Sequence, residues 1–396
     1  MRKDINITIA HNTWPGKVPT DISRLAGKTD INIRRGLFHT ALITRPPCFK
    51  GFHLSDCWAF MRYYYAFAKT KPLSLKPEWE DIDRHQKTVM SDDLGMGFTT
   101  QFLAERLGFS QFADTLHFMQ VSNPNVFSFH NAKKIGPQKI PDFIATDISP
   151  HKFNVVECKG TQVSRARLRK AMQRGMEQKR NVAPQNNSYL NHRLVVGLFV
   201  PKSTSSESAE IHIMDPDYTD LDRLIGEQGQ EQVSRSITQI DLAKHLALFG
   251  APLTANILSI TPTKNLNGSL FVEAAKKELQ GLSDKTSIVR SMSDGRENLQ
   301  DVLRSTHYKK GELQYLEDEL QDLIKSMSDE HVGELKAKLH IPEKFIANIL
   351  EANDLLKLLE NLSEGAYNRA QLRKENEEAA EEVGSSMGFK MEFILE

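Results

Sequence analysis

Residues 141–160 read PDFIATDISPHKFNVVECKG, and the fold turns on how this stretch is read. Two apolar runs, within KIPDFIATD (139–147) and KFNVVECKG (152–160), flank a short turn that holds Ser149 and Pro150. That is the pattern of two strands joined as a hairpin. Yet Asp142, Glu157 and Lys159 sit among these otherwise interior residues. An isolated buried charge costs several kcal/mol unless it is paired, hydrogen-bonded or bound to a metal. Three of them within eighteen residues call for one common explanation.

Side chains alternate between the faces of a strand, so Val155, Glu157 and Lys159 share one face, while Val156 and Cys158 point to the other. With Asp142 on the paired strand and turned to the first face, two carboxylates and an ammonium converge. Neighbouring carboxylates repel unless a divalent cation lies between them. Hard oxygen ligands select Mg2+ or Mn2+, ions that keep several waters and accept phosphate oxygens. The lysine then holds or deprotonates the attacking water and offsets charge in the transition state. This is the chemistry of phosphodiester hydrolysis.

Pro141-Asp142, fourteen intervening residues, then Glu157-Cys158-Lys159 resembles the signature of the PD-(D/E)XK nuclease superfamily, whose fold is restriction-endonuclease-like. The resemblance extends over roughly residues 91–216, because the flanking order of helix, hairpin, helix and strand also fits. It implies that Asp142 and Glu157 are metal ligands, that the Cys158 carbonyl is a third, and that Lys159 is the catalytic lysine. Many members carry an acidic residue on the first core helix, often four positions after a glycine. Counted from Gly97 that slot holds Gln101, which resemblance makes a partner of a metal-bound water. Glu105, one turn later on the same face, either replaces the missing carboxylate or faces solvent. Gln162 reads as a contact to the scissile phosphate or a water, or as a cap of the next helix.

That next helix, SRARLRKAMQRGMEQKRN at 164–181, carries Arg165, Arg167, Arg169, Lys170 and Arg174 against one acidic residue, Glu177. Beside a nuclease centre these cations are expected to neutralise backbone phosphates of DNA, with RNA as the open alternative. A solvated basic face is the plainer reading. Working outward, SDDLGMGFTTQFLAERLGF (91–109) reads as a helix capped by Asp92 and Asp93 and ending at Gly108, with an apolar stripe of Phe98, Phe102, Leu103 and Leu107. TLHFMQVS (115–122), RLVVGLFVP (193–201) and EIHIMD (210–215) read as strands. The expected fold class is therefore α+β: a sandwich around a central mixed sheet.

The flanks are less explicit. Residues 1–90 are expected to form an accessory region and 91–218 the nuclease core; 219–300 read as a helical extension and 301–396 as an acidic helical region. In the extension, 236–252 has helical spacing. In the last region, Leu313, Leu316, Leu320, Leu323 and Met327 form a short seam suited to packing, to homo-oligomers or to a protein partner. A second amphipathic helix is expected over 343–362, and a solvated charge run over 373–386.

Composition excludes little by itself. The 396 residues hold 51 basic and 51 acidic side chains, but 301–396 carry 21 acidic and 12 basic residues, while 1–300 carry 30 and 39. A basic body suits a polyanion partner. Three cysteines (Cys48, Cys57, Cys158) argue for a reducing compartment and against a disulfide framework. The longest apolar run, 194–200, is too short for a membrane helix, and MRKDINITIAHN lacks a signal-peptide core, so a cytoplasmic protein without membrane contact is expected. Cys48, His53 and Cys57 lack the spacing of a zinc site, and neither TWPGK nor GMG completes a phosphate or dinucleotide motif. The reading that follows is a Mg2+- or Mn2+-dependent DNA endonuclease, of restriction or antiphage-defence type. Its rivals are a catalytically silent nucleic-acid-binding or scaffold protein and an RNA-directed nuclease.

Overall fold

The computed structural model describes residues 1–44, 63–122, 140–147, 152–179, 190–215, 230–266, 275, 277–282, 287–293, 334–340, 345–351, 362, 383–384 and 390–395. A seven-stranded mixed sheet organises the first two thirds. Its strands are β1 (Arg2–Ile9), β2 (Gly27–Asn32), β3 (Gln111–Asp114), β4 (Phe143–Thr146), β5 (Phe153–Thr161), β6 (Leu190–Phe199) and β7 (Glu210–Met214), in the order β2-β1-β7-β6-β5-β4-β3. Two pairs, β1–β7 and β5–β6, are parallel, and the other four are antiparallel.

The N-terminal stretch read as an accessory region supplies β1 and β2 of this same sheet. β1 shows why: Ile5 and Ile7 are buried at a period of two between polar neighbours. A single-turn helix α1 (Thr20–Ser23) precedes β2, and Asn32 ends β2 and caps α2 (Ile33–Ile43), its side chain accepting from Arg34 N at 3.0 Å and Arg35 N at 3.3 Å.

The long helix α3 (Arg84–Arg106) begins seven residues before the expected start. Its cap is Asp83, whose Oδ1 accepts from His85 N at 2.8 Å, so Asp92 and Asp93 lie inside the helix and not at its end. The expected stop holds: Gly108 adopts φ +78°, a left-handed conformation suited to glycine. Residues 115–122, expected as a strand, form helix α4 (Thr115–Ser122). Only Leu116 and Gln120 point outward, a spacing of four and not of two, and the strand is instead the preceding QFAD.

Helices α2 and α3 cover one face of the sheet, where Phe98, Phe143, Val156, Cys158, Leu194 and Val196 share a core. The other face is covered by α4 and by α6 (Gln230–Leu248) over β3–β5, and by α5 (Arg165–Lys179) over β6. α6 also closes the sheet edge. Thr238 Oγ1 donates to Gln111 Oε1 at 3.0 Å, Asp241 Oδ1 accepts from Phe112 N at 3.3 Å, and Lys244 pairs with Asp114. One polar side chain per turn thus satisfies an edge strand that would otherwise offer itself to another chain. α7 (Pro252–Ile260) follows, held through Gln239, which donates to Leu258 O at 2.5 Å and Thr261 O at 2.8 Å.

The C-terminal part is not all helical. β8 (Ser287–Ser293), β9 (Glu334–His340), β10 (Val383–Gly384) and β11 (Lys390–Leu395) form an antiparallel sheet in the order β10-β11-β9-β8, accompanied by α8 (Phe345–Glu351). The register places Leu335, Ala337 and Leu339 opposite Leu395, Phe393 and Met391, a period of two that helical patterning does not explain. The seam at 313–327 lies outside the described residues, as does most of 343–362 and 373–386. No helix among the described residues is long and apolar enough to cross a membrane.

Candidate active site

The hairpin of β4 and β5 is antiparallel, with Phe143 opposite Val156 and Ile144 opposite Val155. Asp142 immediately precedes β4, so the same register carries it toward Glu157. It is anchored at both ends. Its Oδ2 accepts from Cys158 N at 2.7 Å, and its carbonyl accepts from Thr115 N at 3.1 Å, where β3 turns into α4. Glu157 is nearly buried, and Lys159 Nζ donates to its Oε1 at 2.7 Å. Burial alone would pull the Lys159 ammonium below its ordinary value, but the Glu157 and Asp142 carboxylates more than offset this and hold it raised. Asp142, Glu157 and Lys159, expected together, do come together.

Cys158 points to the opposite face, where Thr99 Oγ1 donates to its Sγ at 3.1 Å. Burial pushes its thiol up, with Asp142 adding to the effect, so it is no nucleophile. Two glycines bring α3 onto β5 at this level. A Cβ on Gly160 would stand 1.7 Å from Ser91 O, and one on Gly95 would stand 2.7 Å from Gly160 N. The strand end that bears Lys159 is therefore wedged directly against the helix.

Gln101 is elsewhere. Like Gly95, Thr99 meets β5, and two residues on from Thr99 the side chain has turned about 200°. Gln101 is fully buried, with Nε2 donating to Glu105 Oε1 at 2.9 Å, and Glu105 pairs with Arg35 Nη1 at 2.8 Å. Both therefore belong to the packing of α3 on α2: Glu105 neither joins the acidic pair nor faces solvent. Gln162 is spent on structure as well, its Nε2 donating to Lys87 O at 3.1 Å and Ser91 Oγ at 2.9 Å.

α3 also carries an acid that the Lys159 charge acts on. Asp92 stands next to Ser91, and its carboxyl is raised by burial while Lys159 acts on it in the opposite sense. The reading as a cap pair concealed it. The available signal was its place three residues before Gly95, the residue that lets the helix approach β5. Asp93 faces away and accepts from Tyr63 Oη at 2.7 Å.

α5 lies on the same sheet face as Glu157 and Lys159. Paired residues share a face, Glu157 pairs with Val195 and Lys159 with Gly197, and Val195 packs under Leu168 and Met172 of α5. A Cβ on Gly197 would stand 2.4 Å from Met172 Sδ, so the helix is seated low beside Lys159. Its cations divide into two sets. Arg165 donates to Ser208 O at 3.3 and 3.0 Å and pairs with Glu210 Oε2 at 3.2 Å, and Arg169 pairs with Glu210 Oε1 at 3.4 Å. Arg167, Lys170 and Arg174 are exposed.

Among the described residues, no group of three or more histidine, cysteine or acidic side chains is placed to hold a metal ion. The donors actually present are two carboxylates and the backbone between them, and a cation, Lys159, already sits against Glu157. That donor chemistry fits a hard divalent ion that keeps most of its waters. No family model, curated protein or solved structure matches this chain.

Proposed function

We propose that this chain is a metal-dependent phosphodiesterase acting on DNA, built on a restriction-endonuclease-like core. One observation carries the reading: the β4–β5 register carries Asp142 toward Glu157, with Asp142 accepting from the Cys158 amide at 2.7 Å and Glu157 from the Lys159 ammonium at 2.7 Å. Asp142, Glu157 and the Cys158 carbonyl would hold Mg2+ or Mn2+, which when bound supplies Lewis acidity and an activated water. Lys159, held as a cation by its two acids, offers a donor and a positive charge to a phosphate oxygen whose negative charge grows during attack. Asp142 stays oriented because both its side chain and its carbonyl are fixed.

A nucleic-acid-binding protein without catalysis is the second reading, favoured by the presence of only two carboxylates on the hairpin itself. Cleavage of supercoiled plasmid in Mg2+ or Mn2+ separates the two. The wild type is expected to nick, while Asp142→Ala and Lys159→Ala are expected to lose on the order of 100-fold or more in rate, measured on protein that circular dichroism shows to be folded. Nicking that survives both substitutions removes the mechanism. Salt-sensitive binding without nicking in any metal supports the second reading, and cleavage of RNA alone would redirect the substrate.

A further inference from the structure

We infer that duplex DNA lays its phosphate backbone along the outer stripe of α5, Arg167, Lys170 and Arg174, and that Arg165 and Arg169 take no part in this contact. The inference rests on the nuclease reading and names the partner surface of that same site.

Two observations separate the cations. At about 100° per residue, Arg167, Lys170 and Arg174 fall within an arc of about 60° on the side of the helix away from Leu168 and Met172. All three are exposed, as is half of the Arg169 side chain, so pairing is what separates them: among the described residues no acidic side chain pairs with Arg167, Lys170 or Arg174. Arg165 and Arg169 instead turn toward β7, where both meet Glu210. That carboxylate is only 2% exposed and also accepts from Thr8 Oγ1 at 2.9 Å. A carboxylate so deeply buried needs its guanidinium partners, since an uncompensated charge there is strongly destabilising. Those two arginines fasten α5 to the sheet and leave their neighbours to face outward.

Geometry then supplies the partner. Arg167 to Arg174 spans about 10 Å of helix axis at 1.5 Å per residue. That matches about three steps of one DNA strand at 3.4 Å each. The stripe stands on the face that bears Glu157 and Lys159, and only Gly160 to Ser164 separate Lys159 from the start of α5. A strand following the stripe is led to the lysine. Three cations at this repeat, with one acidic residue in the whole segment 164–181, suit a regular polyanion better than a folded protein surface of mixed charge.

The test is binding of a labelled DNA duplex in calcium buffer over a range of salt, read as the slope of log affinity against log salt. Arg167→Gln, Lys170→Gln and Arg174→Gln combined are expected to reduce the slope by about 2.7, at about 0.9 per phosphate contact. Between 50 and 200 mM salt the triple variant would then lose about 40-fold less affinity than the wild type. Each single substitution is expected to remove about 0.9, which guards against a global effect of the combination. Arg165→Gln, Arg169→Gln and Glu210→Gln combined remove the internal pair without stranding a charge, and this variant is expected to keep the wild-type slope. The proposal is overturned by an unchanged slope in the triple variant, by a slope lost in the Glu210 variant, by no duplex binding in the wild type, or by binding of duplex RNA alone. Plasmid nicking is scored separately. A wild type that binds with the full slope and never cuts sinks the nuclease reading and leaves the stripe standing, whereas a cutting enzyme with an unaffected triple variant does the reverse.

Discussion

Lys244 is fully buried, its ammonium paired with the Asp114 carboxylate and 4.9 Å from the centre of the Phe143 ring. Asp114 lies opposite Phe143 in the β3–β4 ladder, and the next amide, Thr115 N, holds the carbonyl of Asp142. A lysine from α6, more than 100 residues downstream, thus steadies the root of a proposed metal ligand. Removing one partner of a buried pair costs about 3–5 kcal/mol, and Asp114 keeps some exposure, so Lys244→Met is expected near the lower end. Urea unfolding measures it. Adding Asp114→Leu should recover most of the loss, and a single variant that unfolds at the wild-type midpoint would show that the pair contributes nothing.

Gly95 is a helical residue, and alanine there would ordinarily gain about 1 kcal/mol of helix propensity. Its new Cβ, however, would stand 2.7 Å from the backbone nitrogen of Gly160, which cannot swing aside as a side chain can. Overpacking of this kind costs about 1–3 kcal/mol, so the clash decides the sign. Gly95→Ala and Gly160→Ala are both expected to lower the melting temperature and to slow cleavage by moving α3 away from Lys159. Gly281→Ala, with nothing within 4 Å of its Cβ, is the control and should be neutral or stabilising.

Asp241 is buried, and burial pushes its carboxyl up to about 7 from an ordinary 3.8, against the Phe112 amide and Lys244, which act to lower it. Between these two values the folded protein binds the proton and the unfolded chain does not. Stability from this group therefore falls as pH rises from about 4 to about 7 and is level above. Asp241→Asn keeps an oxygen for Phe112 N and abolishes the titration. The variant is expected to gain stability relative to the wild type as pH rises through that window, and a difference that is flat from pH 4 to 8 would contradict the burial described.

Asp92 and Asp93 are neighbours with opposite tasks. Under the proposed mechanism Asp92→Asn, which removes a charge that acts on Lys159, is expected to reduce plasmid cleavage about 10–100-fold at an unchanged melting temperature. Asp93→Asn weakens the bond from Tyr63 Oη and should lower the melting temperature while sparing any cleavage rate of the folded protein. The reverse pattern would put the wrong carboxylate at the site.

Much of the hairpin was legible because strand alternation and the cost of buried charge both act over a few residues. Asp142, Glu157 and Lys159 needed only a period of two and one short turn to be grouped. The α4 segment was misjudged because the four apolar residues of TLHFMQVS fit neither period cleanly, Leu116 and Phe118 standing two apart and Phe118 and Met119 adjacent, until six of its eight residues are seen to be buried. β9 and β11 did alternate, in ELKAKLH and KMEFIL, but the surrounding charge density outweighed that signal. Gln101 was misplaced because counting from a glycine fixes a helical position and not the neighbour it faces. The Arg165–Glu210 and Arg169–Glu210 pairs span more than 40 residues, and nothing local announces them.

By itself the sequence determined a hairpin bearing two acids and a lysine, a basic helix after it and the glycine that ends α3, since each depends on periodicity, charge cost or backbone freedom within a few residues. Only the tertiary structure decided that β1 and β2 belong to the same sheet, that Gln101 packs with Glu105 against α2 and not beside Lys159, and which cations of α5 find a buried acid. Those outcomes depend on which distant surfaces pack together, and on the partners that a buried charge finds once they have done so.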